Sequence, residues 1–336
     1  MTEEELRNRT YDLVVCDSDS WLYKASYAGT KKEVSLYNEK GELQGVFTGI
    51  KKCRDYMKEV GDFLMIDTSG WYTEDTIEHL PVEHCYKVLD NYIANLKKKV
   101  KGKRWRFFIG RGELYRDQQA TLYKYKGNRE GVEKPYHFNA VKDYMESKHE
   151  TTVVRMLEVD DVVSVFVCKD YKRNYQDPKQ LLIAIDKDLD CSVGARYNPD
   201  KDKWYYIEQE EADYNFAIQT LTGDWSTDGI KGLPNVSDEF REKYKLSKRS
   251  GVGKATAQAI LQDLKGESLQ TLYGRVLEAY KSFYPNPYEY TSWDGKQLKA
   301  TPEDVLDENC SLLFMMRNKD EMWKEYKERT FTNDTI

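Results

Sequence analysis

Short apolar runs recur along this chain, and each of them leads into acidic residues. The runs occupy residues 13–16, 151–157 and 181–185 and are rich in valine, leucine and isoleucine. The acids that follow them are Asp17, Glu158, Asp160, Asp161, Asp186 and Asp188. Such runs are typical of buried strands in a parallel sheet, where active sites lie beyond the carboxyl ends of the strands. The pattern predicts a mostly parallel sheet with carboxylates gathered along one edge.

The remaining apolar periodicity predicts helices around this sheet. Four segments carry apolar positions at helical spacing: 81–99, 254–264, 268–284 and 302–316. Two further strands are expected, one at 63–66 and an edge strand at 204–207, whereas 33–49 is polar and typical of turns. We therefore predict an α/β fold, a mostly parallel twisted sheet flanked by helices, in which the chain becomes helical after about residue 212.

Composition narrows the class of protein. Of the 336 residues, 40% are hydrophobic and 13% aromatic, which argues against a disordered chain. The net charge is −6, yet a clustered acidic site would lower this sum while basic patches elsewhere bind phosphate. The six cysteines lack metal-ligand spacing and are typical of reduced, buried thiols. No apolar run approaches the roughly 20 residues of a membrane span, so an intracellular protein without a membrane partner is expected.

The acidic clusters indicate a divalent cation. Glu158, Asp160 and Asp161 fall within four residues, and carboxylates at that spacing repel one another unless a cation neutralises them. Two metal ions about 4 Å apart can hydrolyse a phosphodiester without a histidine base. The chain has only four histidines, and none lies in a motif. The ordinary alternative is that these acids cap or begin helices.

Three basic or glycine-rich segments offer contacts to phosphate. Residues 123–129, YKYKGNR, combine aromatic rings with three cations and a glycine. Gly251 and Gly253 precede a helix beginning at Lys254, where backbone N–H groups can reach a phosphate. A basic cluster occupies 97–106. Each segment has an ordinary alternative, namely a charged loop, a helix–helix turn and a solvated helix end.

Taken in order, these motifs resemble those of phage 5′-3′ exonucleases of the flap endonuclease superfamily. The likeness spans residues 11–264 and comprises an acid after the first strand, YKGNR, ExDD, DxD and GD…DGIxGLP…GVGK. It implies a PIN-like, FEN-like nuclease domain at 1–211 and a helical DNA-binding region with a helix-three-turn-helix element at 212–336. It also implies 5′-3′ exonuclease or flap endonuclease activity with two Mg²⁺ or Mn²⁺ ions.

The resemblance implies a role for each matched residue. The metal ligands would be Asp17, Glu158, Asp160, Asp161, Asp186, Asp188, Asp224 and Asp228. Lys126 and Arg129 would contact the scissile phosphate, with Tyr125 beside them for base stacking. The duplex backbone would be gripped by Gly251, Gly253 and Lys254, with a K⁺ ion. The implied partner is duplex DNA with 5′ ends or flaps, or alternatively an RNA–DNA hybrid. The protein would act as a monomer in the cytoplasm of a phage-infected host, in replication or recombination.

The chain departs from the family pattern at two places. Arg111 stands where an aspartate is expected, and an arginine cannot bind Mg²⁺, although its fixed cation could contact the scissile phosphate. Glu113 is the nearest acid that could substitute. Asp224 and Asp228 are four residues apart where three is usual. An insert at 236–250 adds basic residues that are expected to contact phosphate.

Two other functions fit part of the pattern. Asp17 and Asp19, with the GDxxxD pattern at 223–228, resemble haloacid-dehalogenase-like phosphatases, in which Asp17 would be the nucleophile and Asp19 the acid/base. Trp21 stands where that family has threonine or valine, and the ExDD motif is left unexplained. The other alternative is a DNA-binding scaffold whose catalysis is impaired by the missing aspartate. Metal-dependent cleavage of DNA would distinguish a nuclease from both.

Overall fold

A computed structural model describes residues 1–247 and 251–332. The strands are β1 (Thr10–Tyr11), β2 (Leu13–Asp17), β3 (Thr30–Tyr37), β4 (Leu43–Phe47), β5 (Tyr72–His79), β6 (Lys101–Gly102), β7 (Trp105–Leu114), β8 (Thr151–Met156), β9 (Gln180–Ile183), β10 (Gly194–Asn198), β11 (Lys203–Ile207), β12 (Tyr288–Thr291) and β13 (Gln297–Ala300). The α-helices are α1 (Glu3–Asn8), α2 (Asp19–Tyr27), α3 (Ile50–Leu64), α4 (Val82–Lys99), α5 (Arg116–Gln119), α6 (Phe138–Lys148), α7 (Val159–Asn174), α8 (Gln209–Thr222), α9 (Trp225–Asp228), α10 (Asp238–Lys243), α11 (Lys254–Ile260), α12 (Leu269–Phe283), α13 (Pro302–Leu313) and α14 (Trp323–Thr332).

A six-stranded sheet with the order β11-β10-β9-β2-β7-β8 lies at the centre of the fold. Its neighbouring strands are parallel except for β11, which runs antiparallel to β10 at the edge. The predicted mostly parallel sheet is thereby confirmed, and so is the edge strand at 204–207. Apolar side chains of β2, β7 and β9 pack against α7. Because β2, β7, β8 and β9 run the same way, their carboxyl ends meet at one edge.

The chain forms two compact units. The first contains Met1–Asp19, Lys97–Val132 and His149–Ile336, and the second contains Ser20–Leu96 and Glu133–Lys148. The central sheet belongs to the first unit. The predicted boundary after residue 211 falls inside that same unit.

The second unit contains a three-stranded antiparallel sheet, β4-β3-β5. Its small core includes Val34 and Leu36, which alternate with more exposed positions along β3. The expectation that 33–49 is turn-rich was therefore wrong, because pairing with neighbouring strands orders this polar segment. The prediction of a strand at 63–66 was also wrong, because Ile50–Leu64 is a helix and Phe63, near the end of this helix, is exposed.

Helices dominate the first unit after residue 208. Of the apolar face predicted for the helix at 254, Ala257, Ile260 and Leu261 are fully buried, although the α-helix itself ends at Ile260. All six cysteines are buried free thiols, as predicted. Within 1–247 and 251–332, no helix is both long enough and apolar enough to cross a membrane.

Candidate active site at the carboxyl edge of the sheet

Three acids from three neighbouring elements repel one another at the carboxyl edge of the sheet. Asp17 ends β2 and is buried, and burial together with the charges of Asp19 and Asp186 raises the pKa of Asp17 to about 8. Burial and the charges of Asp17 and Asp186 likewise raise the pKa of Asp160 well above its usual value. Asp17, Asp160 and Asp186, which we call the uncompensated acids, therefore lie close together, as the sequence pattern predicted.

Within residues 1–247 and 251–332, no ion pair involves the uncompensated acids. Ion pairs instead join Arg116, Lys126 and Lys187 to neighbouring acids, which are Glu158, Asp161, Asp188, Asp224 and Asp228. A carboxylate next to an ammonium or guanidinium group needs no further cation, whereas a group of like charges does. The predicted ligands therefore fall into two electrostatically different sets.

Arg116, which no sequence pattern marked, binds two acids of the ExDD motif. Its side chain is fully buried, and its guanidinium donates to both oxygens of Asp161, at 2.6 and 2.8 Å, and to Glu158 at 2.9 Å. It also donates to the Phe314 carbonyl at 2.7 Å. Asp161 in turn accepts the Glu158 N–H at 3.2 Å. Both oxygens of Asp161 are thus engaged by protein groups, unlike those of the adjacent Asp160.

Lys187 connects the DxD motif with the loop that follows α8. Its ammonium nitrogen lies 3.3 Å from Asp188 and 3.0 Å from Asp224. Burial and the charge of Asp186 raise the pKa of Asp188 to about 7 despite this lysine. Burial would also raise the pKa of Asp224, but hydrogen bonding to Lys187 and to the Thr227 N–H brings it below its usual value.

The segment at 123–129 contacts two further acids of the site, Glu158 and Asp228. Lys126 pairs with Glu158, and although burial opposes it, the charges of Arg116 and Lys126 lower the pKa of Glu158. Arg129 donates to Asp228 at 2.9 Å. Burial raises the pKa of Asp228 in spite of the charge of Lys126.

Tyr125 corrects one of the predicted roles. Its ring is only 4% exposed and packs in the hydrophobic core, while its hydroxyl donates to Glu158 at 2.9 Å and to Asp228 at 3.3 Å. A buried ring has no face open to a nucleobase, so the base-stacking role expected for Tyr125 was wrong. Its hydroxyl instead helps to hold two of the acids.

The unusual spacing of Asp224 and Asp228 does not separate them. Asp224 caps the single-turn helix α9 by accepting the Thr227 N–H at 3.1 Å, and Asp228 is the last residue of that helix. Positions three and four apart both lie on one face of a helix, so the longer spacing still leaves the two carboxylates near each other. The charge of Asp224 is accordingly among those that raise the pKa of Asp228.

Next to Arg111, the strand contacts Asp19. The Gly110 N–H donates to both oxygens of Asp19, at 3.1 and 3.2 Å. A β-carbon at Gly110 would lie 3.1 Å from Asp19 Oδ2, a tight contact that would require the Asp19 side chain to shift. Arg111 itself is half-buried, whereas Glu113, the expected substitute acid, is exposed. The sequence had indicated Asp19 only for the phosphatase alternative, although it follows the first predicted strand by two residues.

The glycine-rich turn lies ahead of a short helix, as expected. Gly251 has a φ of +89°, which favours glycine, and Gly253 directly precedes α11. Lys254, its first residue, is exposed. Of the basic residues predicted to contact phosphate in the insert at 236–250, Lys248 and Arg249 lie outside the described residues.

The donor chemistry at the sheet edge fits a hard divalent cation. Carboxylate oxygens are the ligands that Mg²⁺ and Mn²⁺ prefer, and no thiol or imidazole is needed. Among the residues that the structure describes, however, no three Asp, Glu, His or Cys side chains are already arranged as a metal site. Binding an ion would therefore require rotation of these side chains about their own torsions.

Comparison with known proteins gives structural likenesses only. No family model and no curated protein matches the chain. A pseudo-enzyme–product complex of the bacteriophage T5 flap endonuclease with DNA and metal ions is 12% identical, with 90% of this chain and 98% of that chain covered and a TM-score of 0.42. The T5 5′-exonuclease with zinc ions is 16% identical over 68% of this chain and 90% of that one, with a TM-score of 0.36. At these values neither likeness assigns the chain to a family or an activity.

Proposed function

We propose that this protein is a metal-dependent nuclease that hydrolyses phosphodiester bonds of DNA. The observation that carries the proposal is the mutual repulsion of Asp17, Asp160 and Asp186 at the carboxyl edge of a parallel sheet. Asp17 is buried and Asp160 and Asp186 are half-buried, so holding their like charges close together costs free energy, which a divalent cation would offset. The basic segment at 123–129 beside these acids supplies the positive charge that a phosphate requires.

The uncompensated acids are the proposed metal ligands, together with Asp188, whose pKa stays raised to about 7 although Lys187 lies beside it. A bound divalent ion would supply a nucleophilic water near neutral pH and positive charge beside the leaving oxygen. Asp17 is held at the end of β2, and Asp160 lies in the first turn of α7, so both backbones are fixed by regular structure. The carboxylate side chains would then need only to rotate in order to coordinate an ion.

The paired acids are proposed to take part through an exchange of partners. Lys126 and Arg129 neutralise Glu158 and Asp228 in the free protein. When a scissile phosphate enters, both cations can turn to it, and the carboxylates that they leave are freed for the second metal ion. Arg111 is proposed as a further phosphate contact. Asp161 stays with Arg116 and fixes the start of α7, which orients Asp160.

The finer substrate preference follows the resemblance of the motifs. We propose 5′-3′ exonuclease or flap endonuclease activity on duplex DNA by a monomer, with an RNA–DNA hybrid as an alternative substrate and phage replication or recombination as the setting. Exposed Lys254 and the turn containing Gly251 and Gly253 are proposed to hold duplex phosphates with a K⁺ ion. Replacing Lys254 with alanine should then weaken binding to all sequences alike and reduce the salt slope by about one unit.

Cleavage assays test this proposal. Duplexes with a 5′ flap, a nick or blunt ends would be incubated with Mg²⁺, with Mn²⁺ and with a chelator. We expect cleavage only with metal and only by protein that retains Asp160. Chelator-resistant cleavage would contradict metal catalysis. Tight binding without any cleavage would instead indicate a DNA-binding scaffold, and release of phosphate from a small phosphomonoester through an aspartyl-phosphate on Asp17 would indicate a phosphatase.

A further inference from the structure

The loop that carries Asp224 and Asp228 presents a tryptophan to solvent. Trp225 lies between these two acids and is 56% exposed. Leaving an indole in water forgoes a large share of the stabilisation that its burial would give. An exposed tryptophan in the middle of a proposed active-site loop therefore needs an explanation other than packing.

The backbone of this loop is firmly held. The Asn128 side-chain amide donates to the carbonyls of Trp225 and Ser226, at 3.1 and 2.7 Å, and Arg129 donates to the Thr227 carbonyl at 2.9 Å. A β-carbon at Gly223 would lie 2.2 Å from the Ile230 carbonyl oxygen, so the ends of the loop are packed backbone against backbone. Trp225 is thus exposed from a fixed position rather than from a loose segment.

A second exposed ring lies beside Trp225. Tyr123 is 39% exposed, and its ring centroid lies 5.4 Å from that of Trp225 at an interplanar angle of 83°. Rings in this edge-to-face arrangement leave at least one face of each uncovered by the other. The pair joins the basic segment at 123–129 to the acidic loop, so it stands next to both halves of the proposed site.

One cation lies at the tyrosine ring, and another contacts the loop that carries Trp225. The ammonium nitrogen of Lys231 lies 5.4 Å from the centre of the Tyr123 ring and 3.3 Å from its hydroxyl. The side chain of Arg129 is half exposed and donates to the Thr227 carbonyl, two residues after Trp225, at 2.9 Å. Aromatic faces bordered by lysine and arginine are the composition that binds single-stranded nucleic acid, because bases stack on the rings and phosphates contact the cations.

We propose that Trp225 and Tyr123 form a stacking site for an unpaired nucleobase next to the scissile phosphate. The inference rests on the proposed nuclease function and assigns to this pair the role that burial denies to Tyr125. A base inside a duplex has both faces covered by its neighbours, so only a base in a flap, an overhang or a frayed end can use such a site. The pair would therefore favour substrates with a single-stranded segment at the cleavage point.

Fluorescence of 2-aminopurine tests the stacking site without requiring cleavage. The full chain would be titrated, in the presence of a chelator, into single-stranded oligonucleotides and 5′-flapped duplexes that carry this base analogue at the junction. We expect strong quenching with the unaltered protein. In Trp225→Ala the quenching should be largely lost and affinity for the single strand should fall by about 10-fold, whereas Trp225→Phe should restore most of both.

Two controls separate stacking from general damage. Trp293→Ala removes another exposed indole, whose ring N–H donates to the Ala120 carbonyl. This variant should quench the fluorescence as strongly as the unaltered protein. Circular dichroism and thermal unfolding of each variant should match the unaltered protein. Equal quenching by Trp225→Ala and Trp293→Ala, or failure of Trp225→Phe to restore it, would overturn the stacking site. Absence of metal-dependent cleavage by the unaltered protein would instead reject the proposed function, which this titration does not measure.

Discussion

Asp160 and Asp161 are neighbours in the sequence but lie in opposite electrostatic surroundings. Asp160 faces Asp17 and Asp186, whose charges raise its pKa. Asp161 is completely buried, and both of its oxygens accept from Arg116. Successive residues at a helix start point in different directions, so one acid enters a group of like charges and the next completes an ion pair. An ExDD motif can therefore combine a proposed metal ligand with a structural anchor.

Removing Arg116 should cause the largest loss of stability. Arg116→Ala leaves Glu158 and Asp161 buried beside each other without their guanidinium partner, and breaking a buried pair in this way costs about 3–5 kcal/mol. Denaturant unfolding would measure the change. Arg129→Ala is the matched control, because Arg129 is half exposed and its pair with Asp228 should contribute at most about 1 kcal/mol. Equal losses in the two variants would contradict the distinction between buried and exposed pairs.

Substituting the two aspartates should separate activity from stability. Asp161→Asn removes the charge that balances Arg116 and should lower the free energy of unfolding by about 1–3 kcal/mol. Asp160→Asn relieves repulsion, so stability should stay the same or rise by about 1 kcal/mol, while metal-dependent cleavage falls by more than about 100-fold. Unfolding curves and cleavage rates of both variants provide the measurement. A loss of stability in Asp160→Asn as large as that in Asp161→Asn would remove the contrast.

The stability of the metal-free protein should fall as pH rises. Because burial and neighbouring acids raise the pKa of Asp17 to about 8, the unfolded chain releases this proton near pH 4 while the folded protein retains it. Between about pH 4 and pH 8 the folded state therefore binds more protons, and its stability should decrease by up to about 1.4 kcal/mol per pH unit for this group. Thermal unfolding with a chelator would show the slope, which Asp17→Asn should reduce. Saturating Mg²⁺ should flatten it as well.

Arg111→Asp should give the smallest effect. If this position once held a metal ligand, a new carboxylate next to Gly110 should tighten apparent Mg²⁺ binding by about 10-fold. Substitutions of groups around a metal site change its affinity on this scale. Isothermal titration with metal, in the absence of DNA, would measure it. An unchanged metal titration accompanied by slower cleavage would mean that Arg111 serves as a phosphate contact.

The central sheet and its acids could be predicted because their signals are local. Each apolar run is a strand, and its acid follows within a few residues, so parallel strands bring Asp17, Asp160 and Asp186 together automatically. Arg116 gave no such signal, since its partners Glu158 and Asp161 lie 42 and 45 residues away in sequence. The burial of Tyr125 is also a tertiary effect.

The three-stranded sheet of the second unit was missed for a different physical reason. Along β3 only Val34 and Leu36 are fully buried, and lysine and glutamate occupy much of the rest. Two buried positions are too few for a periodic signal in so polar a segment. The pairing with β4 and β5 supplies the order that the segment's own residues do not indicate.

The hydrogen bond from Arg116 to the Phe314 carbonyl bears on how the protein is made. Ser164 of α7 likewise donates to the Met316 carbonyl, at 2.7 Å. Synthesis proceeds from the amino terminus, and early parts of a chain can fold before later parts emerge from the ribosome. A nascent chain that has not yet exposed residues 314–316 therefore lacks two acceptors that hold the ExDD helix. The acids of this helix should reach their final positions only after residues 314–316 have emerged from the ribosome.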